Sequence, residues 1–250
     1  MTKKIVAIGG GEISKHETLK IDKRIIKLTG KKRPKVLFIP TASSDDESYC
    51  QKVFKYYGKE LGCKVSVLCL CSDIVSKKEI RNRILGADII YVGGGNTLKM
   101  MKIWRKLGVD KLLKKAWENG IVLCGISAGA ICWFESGHSD SMSFYNPKKW
   151  KYINVRGLGF LKGTMCPHYN DGTNGVPREK KFKEMIKKNG GMGIAIDEGC
   201  AIEFTDNSYK IISNKAGSGA YRVFRKTGKV VSEQMEDCDP YSPLAITSRE

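Results

Sequence analysis

The residues best suited to chemistry stand in Gly125-Ile126-Ser127-Ala128-Gly129. Apolar residues 121–124 precede this stretch as a buried strand, and residues 128–134 follow it as a buried helix. A serine between glycines at such a junction fits the tight strand-to-helix bend that exposes a nucleophilic hydroxyl. The small neighbours permit the bend, and the first amides of the helix face any anion that forms beside Ser127. The plain alternative is a turn whose serine only caps the helix. A serine nucleophile needs a base, and the base needs an acid to orient it. The chain has three histidines to choose from, His16, His138 and His168. His168 follows Pro167 at a strand end, where the backbone is restrained, and is the expected base. His138 lies in a polar segment soon after the serine helix and reads as a surface residue. His16 precedes a helix and reads as a cap or a solvent-facing side chain. Two acids are open: Glu198, at the tip of Asp197-Glu198-Gly199, and Asp140, in Ser139-Asp140-Ser141. Either also reads as an ordinary turn-forming acid. For an oxyanion hole the Ala128 amide is the natural first donor, and the bare Gly93-Gly94-Gly95 loop can bring up a second.

The elements around these residues alternate. Strands are expected at residues 5–8, 36–39, 65–70, 87–92 and 121–124, with helices between them, including one from Ser76 to Leu85 and others near 98–107 and 109–119. This spacing predicts a doubly wound α/β fold, its sheet mostly parallel with helices on both faces. Ligands of such sheets bind at the carboxyl ends of the strands, so the Gly93–Thr97 loop and the Ser127 turn belong on one edge. The run Gly9-Gly10-Gly11 lacks the last glycine of a dinucleotide loop and reads as a close turn on that edge. After Phe134, residues 135–152 read as a long polar loop. Residues 178–188 read as a helix, and residues 192–204 as a hairpin turning at Asp197-Glu198-Gly199. Two further strands near 209–212 and 220–224 complete a small antiparallel C-terminal part. Nothing in the 250 residues marks a linker, so a single domain is expected.

Composition narrows the class. The nine cysteines contain no C-x-x-C pair, and several sit in apolar strands, which suits reduced thiols and a cytoplasmic setting. Cys69 and Cys71 have no companion cluster, so no metal is expected, and nothing calls for a cofactor. No apolar run is long enough to span a bilayer. The net charge of +18 raises the question of nucleic acid, but only 10 of the 44 basic residues are arginine and the lysines are scattered over nearly every helix. Solvated surface charge is the simpler reading. The expected partner is a small peptide, with a homodimer allowed and neither nucleic acid nor membrane expected.

Taken in order, Val92-Gly93-Gly94-Gly95-Asn96-Thr97, Gly125-Ile126-Ser127-Ala128-Gly129-Ala130, Ser139-Asp140-Ser141 and Pro167-His168-Tyr169 resemble the peptidase E and cyanophycinase family of serine peptidases. That family shares the class I glutamine amidotransferase fold, with serine in place of the amidotransferase cysteine. The resemblance runs from the first strand to about Phe204. It implies Ser127 as nucleophile, His168 as base and Glu198 as acid, with Gly94 or Gly95 and Ala128 as oxyanion donors. It further implies Asn96 and Arg178 as substrate contacts. Arg178 would match an arginine beyond the histidine that binds the acidic side chain of Asp-X dipeptides, here at a shorter spacing. A cyanophycinase-like activity or an esterase or amidase at the same site, and a silent small-ligand-binding protein of this fold, are the rival readings.

Overall fold

The computed structural model describes residues 1–72, 74–173 and 175–236, and the backbone of 242–243. In chain order its strands and helices are β1 (Lys4–Ile8), α1 (Leu19–Lys27), β2 (Lys35–Ile39), α2 (Glu47–Val53), β3 (Lys64–Val67), α3 (Lys77–Leu85), β4 (Ile89–Val92), α4 (Thr97–Leu107), α5 (Val109–Glu118), β5 (Val122–Ile126), α6 (Ala128–Ile131) and β6 (Phe134–Ser139). There follow β7 (Ile153–Arg156), β8 (Leu161–Cys166), β9 (Gly172–Thr173), β10 (Val176–Pro177), α7 (Arg178–Asn189), β11 (Gly193–Ile196), β12 (Cys200–Thr205), β13 (Ser208–Ser213), β14 (Ala220–Lys226), β15 (Lys229–Gln234) and β16 (Ser242–Pro243).

Two sheets result. The larger has the order β16-β13-β12-β1-β5-β4-β2-β3. Its strands β1 to β5 run parallel, and β12 joins antiparallel to β1. All four residues of β4 and all five of β5 are buried, because strands covered by helices on both faces must be apolar on both faces. The smaller sheet has the order β15-β14-β11-β8-β6-β7 and is mixed, with β8 parallel to both β6 and β11. The expected doubly wound α/β fold with an antiparallel C-terminal part is present.

One core cluster lies between the sheets and under α3 to α5; it joins Leu37, Trp104 and Leu123 to Trp133, Phe134, Met165 and Ile194. A second cluster covers the other face of the large sheet, where α1 and the π-helical turn Phe54–Glu60 pack Ile21, Ile25 and Tyr57 against Phe38, Tyr91 and Cys124. On the outer face of the small sheet, α7 buries Phe182 and Ile186.

Four expectations need correction. The serine helix is only one turn, and the polar stretch after it is a loop only from Asp140 onward: residues 134–139 form β6, held between β7 and β8. Residues 192–204 do not form a hairpin, because β11 pairs with β8 and β14 while β12 pairs with β1 and β13. The Asp197-Glu198-Gly199 turn therefore carries the chain from one sheet to the other. His138 is fully buried, because β6 lies inside the small sheet and α7 covers it.

Candidate active site

Ser127 sits between β5 and α6 with φ 56° and ψ −113°, a conformation that side chains rarely adopt. The surroundings hold it there. Its amide donates to the Ile8 carbonyl at 3.1 Å, and its own carbonyl accepts from Ala130 and Ile131 at 2.9 and 3.0 Å. A Cβ on Gly125 would lie 2.5 Å from the Gly129 carbonyl carbon, so the two flanking glycines let strand and helix close on each other. The Ala128 amide, first in the helix, has no intrahelical acceptor.

His168 ends the segment that follows β8, and it too has a positive φ, 49°. Its Nε2 lies 2.8 Å from Ser127 Oγ, where the hydroxyl can donate to the ring. On the other side of the ring, Nδ1 bonds Glu198 Oε1. The imidazole and the carboxylate are 24% and 27% exposed, so the pair is open to a substrate. Glu198 is set by its backbone: its amide donates to Asn170 Oδ1 at 3.0 Å. The adjacent Asp197 is buried and accepts from the Gly219 amide and the Tyr221 hydroxyl at 3.0 and 3.2 Å, and burial raises its carboxyl above the usual range.

The end of β1 organises all three positions. Three successive carbonyls, of Ile8, Gly9 and Gly10, accept from the amides of Ser127, His168 and Gly199, at 3.1, 3.2 and 3.0 Å. Gly10 also forms a bridge with Glu198 itself. The sequence presented these glycines only as a close turn. The signal available was their position, at the carboxyl end of a strand beside the nucleophile strand. Gly94 lies alongside the serine, since a Cβ there would touch Ser127 Cβ at 3.4 Å. The ring of the partly buried Tyr49 also reaches this loop, since a Cβ at Gly93 would lie 2.8 Å from Tyr49 Cε1, and burial pushes its phenol upward. Tyr49 was another residue that sequence reasoning passed over.

The remaining expected residues have other partners. Asp140 does not touch His168; its Oδ2 accepts from Arg178 Nη2 at 2.9 Å and from Thr173 Oγ1 at 2.7 Å. Arg178 was expected to reach a substrate carboxylate, with a solvated surface arginine as the alternative. It is neither: only 2% exposed, it donates to Asp140, to Thr173 Oγ1 at 2.8 Å and to the His138 carbonyl at 3.1 Å, and its guanidinium lies over the Tyr152 ring. Arg178 opens α7 directly after β9–β10, so its side chain ties that hairpin to the Asp140 turn. Asn96, expected to contact substrate, is buried and caps α4: its Oδ1 accepts from the Lys99 amide at 3.0 Å and its Nδ2 faces the Ser141 carbonyl at 3.5 Å. Among the described residues no group of three His, Cys, Asp or Glu side chains could hold a metal ion, and no helix is long and apolar enough to cross a membrane.

This geometry stands beside a clear kinship. Residues 5–212 match the family described as Peptidase family S51. The chain belongs to that family of serine-type peptidases. It is 38% identical over 228 residues to the "Uncharacterized peptidase YgaJ" of Bacillus subtilis, an alignment covering 88% of this chain and 92% of the relative. It is 25% identical over 224 residues to the Peptidase E of Nostoc sp., covering 86% and 88%. Its fold resembles the crystal structure of a peptidase from an acI-B1 Actinobacterium, with a TM-score of 0.68 over 97% of each chain at 18% identity.

Proposed function

We propose that this S51 chain hydrolyses small peptides through an acyl-enzyme, with Ser127 as nucleophile, His168 as general base and Glu198 as the acid that orients it. The observation that carries this reading is the unbroken hydrogen-bond chain from Ser127 Oγ through His168 to Glu198 at a strained, glycine-flanked bend. In this mechanism His168 Nε2 takes the hydroxyl proton as Oγ attacks the peptide carbonyl, and Glu198 holds Nδ1–H so that Nε2 is the free acceptor. The Ala128 amide and an amide of the Gly94–Gly95 pair stabilise the oxyanion. His168 then returns its proton to the departing amine. Water, deprotonated by the same nitrogen, next hydrolyses the ester and releases the acid product.

An aspartate preference is not assigned to Arg178, whose guanidinium is bonded inward. Purified Ser127→Ala protein should keep its folding transition, lose peptide turnover and lose labelling by a fluorophosphonate. Retained turnover would remove Ser127 from the mechanism. Labelling of the unaltered protein with no turnover of any member of a dipeptide library would favour the esterase reading over the peptidase one.

A further inference from the structure

The inner face of the small sheet carries a cation where an apolar side chain is the rule. Arg222 of β14 stands opposite Ile194 of β11, and Ile194 packs into the core between the two sheets. Residues opposite each other in a ladder share a face, so Arg222 points toward that core as well. Its Nε is buried without a partner. Its two Nη atoms stay accessible, and no group among the described residues accepts from them. Two acids at hand are engaged elsewhere. Glu233, across the ladder on β15, binds Lys226 at 3.2 Å, and Asp206 accepts from the Lys3 amide at 2.9 Å.

Arg222 lines a cavity of about 580 Å³ between the sheets. The cavity lies at the amino ends of the strands, since Lys3 precedes β1, Leu161 opens β8 and Met192 precedes β11. Ser127 and His168 follow the carboxyl ends of β5 and β8, so the two places are at opposite edges of the molecule. The cavity floor is apolar, with Phe134, Phe204 and Met235 buried, while Trp117, Phe160 and Met192 are partly exposed at its mouth. Lys3 Nζ lies over the Trp117 ring at 4.8 Å, and Lys162, also in the wall, is paired with Glu135 at 2.9 Å. A guanidinium stripped of water on one side and given no acceptor is costly, and an anion reaching its Nη edge offsets that cost. An apolar cavity with a placed polar group has the usual form of a small-molecule site. Methionines at mouth and floor adapt to a flexible chain.

We propose that this cavity binds a carboxylate with an unbranched aliphatic tail. The carboxylate accepts from the Nη atoms of Arg222, with Lys3 adding positive charge at the mouth, and the tail lies against Phe134, Phe204 and Met235. The site does not depend on the peptidase reading, and its test needs no turnover.

The whole chain is titrated calorimetrically with hexanoate, octanoate and decanoate, and with octanol as the neutral counterpart of octanoate. Each added pair of methylenes should tighten binding by on the order of tenfold, because the tail is buried. Arg222→Gln should weaken octanoate by about tenfold or more while octanol stays within about twofold. Met192→Trp, which fills the mouth, should weaken both, and thermal melts verify that each variant is folded. Should Arg222→Gln fail to fold, the chain-length series and Met192→Trp decide. Four results would overturn the proposal. One is no saturable heat below the concentration at which the probes form micelles. Another is equal affinity for the three chain lengths, which would place the carboxylates on surface lysines. The third is an equal loss of octanoate and octanol in folded Arg222→Gln protein, and the last is octanoate binding untouched by Met192→Trp.

Discussion

Replacing Gly10 by alanine tests whether contact between His168 and Glu198 sets the rate. A Cβ at Gly10 would lie 2.5 Å from Glu198 Oε1 and 2.6 Å from its Cδ, and would press on His168 Nδ1 as well. The φ of Gly10 is not in the left-handed region, so alanine is allowed there by its own backbone and the perturbation is confined to the pair. Ordinary contact requires the two side chains to retreat by about an ångström, a misplacement that costs on the order of 100-fold in rate. If the carboxylate loses the ring altogether, the cost approaches that of losing the triad acid, roughly 10⁴-fold. Gly10→Ala should therefore lower kcat by about 10²–10⁴, equivalent to roughly 3–5 kcal/mol of barrier, with KM little changed. The matched control is Gly58→Ala, where the new methyl would meet only Val65 Cγ2 at 3.6 Å and the rate should hold. Steady-state kinetics on a dipeptide cleaved by the unaltered protein, with a thermal melt to verify folding, decide the matter. A well-folded Gly10→Ala protein with kcat within a few-fold of its parent would refute the reasoning.

Two other outcomes are expected. Glu198→Gln should lower kcat by roughly 10³–10⁴-fold, whereas Asp140→Asn, which weakens the bond to Arg178, should lower Tm more than kcat; the opposite ranking would move the orienting role to Asp140. Burial raises the Asp22 carboxyl from an ordinary 3.8 to about 6, against the opposing pull of hydroxyls from Tyr57, Thr18 and Tyr56. The native state thus keeps a proton that the unfolded chain releases, so this group's contribution to stability is complete below about pH 4 and is lost as the pH rises through about 6, by roughly 3 kcal/mol. Urea unfolding across that range should show the decline, and Asp22→Asn should flatten it; equal slopes in the two proteins would count against the raised carboxyl.

How far the sequence could be read depended on the range of the interactions involved. β2, β4 and β5 were legible because strands buried on both faces are continuous apolar runs, and the Ser127 bend was legible because its glycines are local. His168 emerged from a short inventory of bases. β6 is hidden, because Glu135, Ser136 and Ser139 give it a polar texture. Its burial comes from β7, β8 and α7, all distant in sequence or formed later in the chain. With β6 hidden, the sequence alone puts His138 on the surface. The turn at Asp197 and Glu198 has the chemistry of a hairpin turn, and only the pairing of its flanking strands with other sheets distinguishes the two. Arg178 follows Pro177 at the start of a basic helix, a setting that suggests exposure. Its burial depends on Asp140, Thr173 and Tyr152 converging from three separate segments.

The same distinction accounts for how the site is built. Ser127 comes from the large sheet, His168 from the small one, and Glu198 from the crossing between them. A misplacement of about an ångström between the two sheets would be costly to such a site. Here the alignment is made by main chain: carbonyls 8, 9 and 10 of one extended strand end accept from the serine, the histidine and the residue after the glutamate. Consecutive carbonyls have fixed spacing, so the three positions are ruled off against a single short segment. That segment must be free of side chains where it meets His168 and Glu198, which explains glycine at position 10. The glycine run after β1 is therefore part of the site's construction, although it contributes no functional group.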